Sequence, residues 1–393
     1  MKDPLAAQLT YCTEAPAEWK IQKLKRLFSV SSGDFLAPED ETSEGFPVYG
    51  GNGIRGFASM PNCHGRTLLI GRVGAYCGNV HLVDGDFWYS EHALRVFPIK
   101  AFSLDFFKYL IRVIDLNKFA NRTAQPLINS GTTTDRYAAL PPLVEQRRIA
   151  AYLDASCAAI DAAVAAKRRQ LETLIALRSA IIREAVMGGV DPKAQCRDPA
   201  IPGYTNTPVH WRRGQLRYEI EIGSGDFASD KIVDDGEFAI YGGNGVMDRT
   251  DRFNVDGETV VIGRVGAYCG NAHYVHGKAW VSDNALIVKS RHAAHYLCHL
   301  FNALNFNAQA NNTAQPVITG TKIKGTVVVI PPLTEQNAIC VHLDQKLAEL
   351  KQLVASIETQ ITTLTAYRKS LIHECVTGQR RITGNDTSNL MLT

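Results

Sequence analysis

Cysteine is scarce: nine in 393 residues, an odd number. This excludes a disulfide-built scaffold and fits reduced thiols in a cytoplasmic protein. No apolar run approaches the roughly 18–20 residues of a membrane span. The first residues, Met1 to Ala7, lack the apolar core of a secretory signal, so a cytoplasmic chain without a membrane partner is expected. An excess of one charge sign is also missing. Residues 1–142 carry fifteen Lys and Arg against fourteen Asp and Glu, and residues 198–332 carry twelve against thirteen. Nucleic-acid binders often show a stronger basic excess, so any basic face must be local. Catalytic signatures are absent too. There is no Gly-x-x-x-x-Gly-Lys-Ser/Thr phosphate loop and no Gly-rich cofactor loop after a strand. Nor is there an Asn/Asp-Pro-Pro-aromatic motif, since Pro141-Pro142 and Pro331-Pro332 lie between Leu or Ile and Leu. Neither catalysis nor a cofactor is expected. Cys77 with His81 and Cys269 with His273 are matched pairs, but structural zinc takes four ligands and no second pair lies near either. They read as buried thiols, and no metal is expected.

What the chain does have is itself, twice. Ile70-Gly-Arg-Val-Gly-Ala-Tyr-Cys-Gly-Asn79 recurs unchanged as Ile262–Asn271. At the same offset Tyr49-Gly-Gly-Asn-Gly53 matches Tyr241–Gly245, Ser32–Phe35 matches Ser224–Phe227, and Trp19 matches Trp211. After a two-residue deletion, Thr123-Ala-Gln-Pro126 matches Thr313–Pro316 and Pro141-Pro-Leu143 matches Pro331–Leu333. Solenoid repeats have periods of about 20–50 residues, so this longer spacing is that of a domain with an appendage.

Each copy has two parts. In the first, Thr67–Ile70, Ala93–Phe97, Thr259–Ile262 and Ala285–Val288 read as buried strands between Gly-rich turns. The segments 102–119 and 292–305 read as helical. The second part opens at Pro-Pro-Leu, and residues 143–187 hold no proline and no glycine. Its apolar residues Leu153, Cys157, Ile160, Val164, Leu171, Leu174, Ile181 and Ala185 keep a four-three spacing, with Lys167 and Arg178 filling the gaps. The second copy repeats it from Leu343 to Cys375, with Arg368 interrupting. This pattern predicts coiled-coil helices, each roughly 67 Å long at ~1.5 Å per residue. A lone helix with such a seam lacks a partner for it, and the simplest partner is the other copy. A linker of fifteen residues, 188–202, spans at most about 50 Å, which favours an antiparallel pair. The fold expected is α+β: two homologous mixed α/β globules separated by two long helices in an antiparallel coiled coil, pseudo-twofold symmetric. Its parts are residues 1–142, helix 143–187, linker 188–202, residues 203–332, helix 333–378 and a disordered tail 379–393.

This plan resembles the specificity subunit of a type I restriction-modification system. The resemblance rests on Leu140-Pro-Pro-Leu-Val-Glu-Gln146 through Leu153-Asp154, and on Ile330-Pro-Pro-Leu-Thr-Glu-Gln336 through Leu343-Asp344. The Tyr-Gly-Gly-Asn-Gly and Gly-Arg-Val-Gly segments add to it, as do Trp19 and Trp211 near the start of each globule. It covers nearly the whole chain. It implies a non-catalytic subunit whose two target-recognition domains each read half of a split double-stranded DNA target. The helices would set the gap and dock two modification (methyltransferase) subunits, and restriction subunits would join for cleavage. Because the two domains are close relatives, the two half-sites are expected to be similar and the target near-palindromic. The competing reading is a protein-interaction scaffold with a coiled-coil spacer and no role for DNA.

Candidate DNA contacts follow from side-chain chemistry. Arg72 and Arg264, flanked by glycine, can approach guanine edges or phosphates, yet an identical stretch in both copies also reads as shared scaffold. Asn79 and Asn271 close that stretch and join the candidates. Arg122, Gln125, Asn312 and Gln315 lie in the loop before each helix, and could pair with bases or form a structural corner. Lys322 and Lys324 suit phosphates. Arg55 and Arg249 lie where the copies diverge, as differing specificity or as variable solvated loop. Tyr76 and Tyr268 read as core, and Asn52 and Asn244 as turn residues.

Overall fold

The apolar runs pair as antiparallel sheet in a computed structural model that describes residues 6–121, 125–310 and 316–386. Its helices are α1 (Leu104–Ile114), α2 (Ser130–Thr134), α3 (Leu143–Gly188), α4 (Ala294–Leu304), α5 (Gly320–Lys324) and α6 (Leu333–Thr377). Residue contacts divide the chain into two units, residues 1–167 with 359–393, and residues 168–358. The division therefore falls inside both long helices, not at their ends.

In the first unit a four-stranded antiparallel sheet has the order Phe28–Ser32, Ala93–Pro98, Thr67–Gly71, Val80–Val83. A second sheet pairs Phe46–Gly50 with Gly53–Ala58 in a hairpin and, in parallel, with Asp86–Tyr89. Helix α1 covers the first sheet. Ser103 caps it by accepting from the Phe106 N–H at 3.3 Å, and it ends at Asp115, which takes a left-handed conformation at φ 55°. Its Phe106, Phe107, Leu110, Ile111 and Ile114 recur at three- and four-residue steps, all buried, so one face of the helix is continuous with the core. That core also takes Ile149, Leu153, Cys157 and Ile160 from the start of α3, and Leu371, Ile372, Cys375 and Val376 from the end of α6.

The pairing of the helices in this unit is antiparallel. Asp161 meets Arg368 at 2.9 Å, and Glu145, at the start of α3, meets Arg381, past the end of α6, at 3.1 Å. The apolar seam positions are buried or half-buried, Arg178 is exposed, and most positions between them in the middle of each helix are exposed. The 18-residue stretch of α3 with mean hydropathy 1.5 is apolar enough by composition to cross a membrane. The sequence pattern hid it because alanines supply most of its apolar character, and Leu153, Cys157 and Ile160 within α3 are committed to the core.

The second unit repeats the plan. Its four-stranded sheet runs Ile220–Ser224, Ala285–Ser290, Glu258–Gly263, Ala272–His276. Its core gathers Tyr296, Leu297, Leu300 and Phe301 of α4 with the end of α3 (Ile182, Ala185, Val186) and the start of α6 (Ile339, Cys340, Leu343). In each unit a buried tryptophan seats the end of a long helix. A Cβ on Gly378 would lie 3.2 Å from the Trp19 ring, and one on Gly189 would lie 3.2 Å from the Trp211 ring. Both glycines have positive φ, 77° and 80°, which glycine adopts without strain.

Two expectations need correction. The stretch read as linker is built into the second unit: Cys196–Arg197 pairs with Thr207–Pro208, and Ile201 and Tyr204 are buried. The stretch read as a disordered tail starts ordered, because Ile382 is 2% exposed in the core of the first unit and Arg381 binds both Glu18 and Glu145. A hydrophobic anchor and two acidic partners tie this stretch down, as a terminal segment needs in order to be ordered.

Candidate nucleic-acid interface

The duplicated motifs meet in space. A Cβ on Gly71 would lie 2.0 Å from the Gly51 carbonyl oxygen, and one on Gly51 would lie 2.7 Å from that of Val73. The second unit repeats both approaches, Gly263 to Gly243 at 2.0 Å and Gly243 to Val265 at 2.7 Å. No side chain fits between these backbones, which is why Gly-Gly and Ile-Gly-Arg occur in both copies. The loop before each long helix closes over the same place. Gly74 N–H donates to Pro126 at 2.9 Å and Ile128 N–H to Arg72 at 3.0 Å, and Gly266 and Ile318 do the same with Pro316 and Arg264 at 2.9 and 3.0 Å. The decapeptide is thus a backbone knot joining a hairpin turn, a strand end and a loop.

Beside this knot in the first unit lies a cavity of about 300 Å³, lined by Asn52, Ile54, Arg55, Val73, His92 and Gln125. It brings the candidates Arg55 and Gln125 together. Asn79 joins them, its side-chain amide donating to the side-chain Oδ1 of Asn52 at 2.9 Å. Arg55 also meets Glu41 at 3.0 Å, with both side chains well exposed, a pairing of the kind that contributes only about 0–1 kcal/mol and leaves the guanidinium free to exchange partners. In the second unit Val246 and Met247 stand in place of Ile54 and Arg55, and Asn284 in place of His92, so the same backbone carries a different rim.

The remaining candidates separate. Arg72 is half-buried and donates to the Ser32 hydroxyl and the Glu91 carbonyl, both at 3.1 Å, so it is engaged within the fold. Arg249 is likewise engaged, donating to the carbonyls of Gly236 at 2.6 Å and Glu237 at 2.8 Å. It lies in the strand Gly245–Thr250 and not in a loop. Arg264 is exposed. Asn271 is half-buried and bonds through its backbone to Tyr268. Lys322 donates to the Gln309 carbonyl, and Lys324 lies at the end of α5. Arg122, Asn312 and Gln315 lie outside the described residues.

Tyr76 and Tyr268 overturn the core reading, being 59% and 57% exposed. The turn between two positive-φ glycines, 74 and 78, directs Cys77 inward at 1% exposure and its neighbour Tyr76 outward. Phe35 and Phe227 are exposed too, at 70% and 62%. They are another duplicated pair, next to the segment whose Ser32 binds Arg72. Duplication combined with an aromatic side chain was the signal available in the sequence. The cysteines 77 and 269 are buried as expected, and burial pushes both thiols up.

Polar side chains lock the start of each long helix. Gln146 accepts from the Ser103 N–H at 3.0 Å and donates to the Pro141 carbonyl at 2.9 Å. Gln336 does the same with Ala293 and Pro331, each at 2.9 Å. Close by in the second unit, Glu219 has a side chain 1% exposed, contacting Arg212, Arg291 and His292. Burial pushes its carboxyl up, but the bonds from His292 and Arg212 together outweigh this and hold it below the usual carboxylate range. Arg212, Arg291 and His292 line a cavity of about 380 Å³, and Glu219 offsets one of the two guanidinium charges there. A third cluster is His295, His299 and Asp344, whose ligand-type atoms all lie within 4.8 Å of one another; the His-x3-His spacing in a segment read as helical was its signal in the sequence. Burial, and then His295, holds His299 down to about 4.

The pattern of the type I restriction modification DNA specificity domain matches residues 16–173 and 219–363, one stretch for each copy. The chain belongs to this family. A relative within it, the type I restriction enzyme EcoprrI specificity subunit of Escherichia coli, is 33% identical over 152 residues, which is 37% of this chain and 38% of that protein. The match thus spans well under half of that specificity subunit's length. Among solved structures, a chain from work on complex assembly and conformational transition of the type I R-M system aligns with a TM-score of 0.73 at 16% identity, covering 93% of this chain and all of that one. The HsdS subunit from Thermoanaerobacter tengcongensis aligns at 0.56 and 16%, covering 93% and 98%. At such identity these likenesses establish the fold. They bear out two sheet-rich domains with two long helices packed on each other.

Proposed function

We propose that the chain is a non-catalytic DNA-recognition subunit of a type I restriction-modification complex. Each sheet-rich unit reads one half of a bipartite double-stranded target, and the chain docks two modification subunits, with restriction subunits joining the full complex. The observation that carries this reading is the twofold match to the specificity-domain family, coinciding with a duplicated backbone knot whose rim side chains differ. A common scaffold with Arg55 and His92 on one rim, and Met247 and Asn284 on the other, suits half-sites that are similar without being identical. The target is therefore near-palindromic. Arg55, Asn79 and Gln125 around the cavity, with Arg264, Asn271 and Lys324 in the second unit, supply groups that bind base edges or phosphates. Exposed Tyr76, Tyr268, Phe35 and Phe227 add apolar contact. Near-neutral charge over residues 1–142 and over residues 198–332 is consistent with a basic contribution concentrated in these few side chains.

Methylation mapping in cells that carry this chain with modification subunits tests the reading. The expected result is methylated bases in one interrupted motif with two related halves. Two unrelated halves would remove the near-palindromic part alone. Absence of any sequence preference in a mobility-shift assay of the assembled complex, with affinity indifferent to salt, would favour the interaction-scaffold reading, because DNA binding through phosphates weakens steeply as salt rises.

A further inference from the structure

The second unit carries a cluster that its twin lacks. His295 and His299 stand four residues apart on α4, so both rings leave the same face of the helix. Their Nε2 atoms are 3.1 Å apart. Asp344, on α6, brings a carboxylate oxygen to 3.7 Å from His295 Nε2, and all three ligand-type atoms lie within 4.8 Å of one another. Around a tetrahedral zinc with bonds of ~2.0–2.1 Å, neighbouring ligand atoms lie about 3.3 Å apart. The cluster is within a small side-chain adjustment of that spacing. The Tyr274 ring stacks on His295 at 4.8 Å and 18°, fixing the plane of the imidazole as a supporting residue around a metal ligand does. Asp344 is more than half exposed and His295 about a third, so an ion can enter from solvent.

The first unit shows what occupies this place otherwise. Asp105, Tyr109 and Asp154 hold the positions of His295, His299 and Asp344. There Asp154 accepts from the Tyr109 hydroxyl at 2.6 Å and from the Lys108 ammonium at 2.7 Å, tying α1 directly to α3. In the second unit both donors are gone and two imidazoles face the matching carboxylate. We propose that a divalent transition metal, of which zinc is the representative, binds His295, His299 and Asp344 and clamps α4 to α6. Two imidazoles and a carboxylate form a ligand set suited to zinc, nickel or cobalt, with the fourth position open to water. With three protein ligands and one open position this is not a closed structural zinc site; it joins α4 to α6 as Tyr109 and Lys108 join α1 to α3 by hydrogen bonds in the first unit.

Zinc titration of the intact purified chain, followed by competition with a chromophoric chelator and by thermal unfolding, tests the clamp. The wild type is expected to hold a single zinc ion and to melt at a higher temperature when it is bound. His295→Gln and Asp344→Asn, both at partly exposed positions, should each weaken binding by about tenfold or more and abolish the thermal shift. Cobalt in place of zinc gives a readout that needs no variant, with visible bands of a nitrogen- and oxygen-ligated site expected. Absence of binding, binding unchanged in both variants, or strong thiolate charge-transfer bands from the free cysteines would overturn the proposal.

Discussion

Arg72 and Arg264 occupy the same place in an identical decapeptide, yet their surroundings give them different work. Arg72 bridges Ser32 and the Glu91 carbonyl. Arg72→Ala should therefore lower stability by about 1–2 kcal/mol, at roughly 0.5–1.5 kcal/mol per hydrogen bond, as read from a denaturant midpoint. Arg264 is exposed. Arg264→Ala should leave the midpoint unchanged and weaken DNA binding by the assembled complex, reducing the slope of log affinity against log salt by about one phosphate contact. Equal effects of the two substitutions on stability would contradict this assignment. Glu219 sets a pH dependence. Its folded pKa is depressed, so the folded state binds fewer protons than the unfolded one in the window between the two values. Its contribution is whole above the unfolded value near ~4.3 and is lost as pH falls through the lower folded value. Acid unfolding of the wild type should show this loss, and Glu219→Gln should be less stable at neutral pH with a flatter profile below about pH 4. A parallel pair of profiles would exclude the role.

At the scale of elements, the long helices were legible because their signal is periodic and uninterrupted. The expected bounds 143–187 and 333–378 lie within a residue of Leu143–Gly188 and Leu333–Thr377. Buried strands were legible as apolar runs for the same reason. The role of Gln146 was not, since its partners Ser103 and Pro141 are joined to it only by the fold. Gln146→Ala leaves a buried N–H and a buried carbonyl without partners, so a loss of about 2–3 kcal/mol is expected. Arg368→Ala removes a half-exposed pair with Asp161 and should cost no more than about 1 kcal/mol. Chemical denaturation of the two variants ranks them, and the reverse order would mean that the seam arginine, not the glutamine, fixes the helix. The corresponding seam position in the other helix is Arg178, and the residue matching Asp161 is Lys351, so this ion pair belongs to one copy alone.

At the scale of the whole chain, duplication was evident in the sequence and the division of the molecule was not. A linear repeat suggests that each globule owns the helix that follows it. The first unit instead combines residues 1–167 with 359–393, and periodicity carries no information about which helix end a globule holds. Trp19 seats Gly378, and Leu371, Ile372, Cys375, Val376 and Ile382 complete the core of that unit. A chain ending at residue 358 should therefore leave its N-terminal residues poorly folded while residues 168–358 keep their structure. Limited proteolysis with mass spectrometry reads this directly: early cleavage is expected within residues 6–121, and equal protection of both regions would refute it.

The contact between Trp19 and Gly378 also has a meaning in time. A ribosome releases residue 19 long before residue 378, and domains made of continuous chain can fold as they emerge. Here the continuous unit is the second, residues 168–358, while the first must wait, with its tryptophan and its share of α3 uncovered, until residues 371–382 have left the tunnel. The half of the protein that is synthesised first is the half that finishes last.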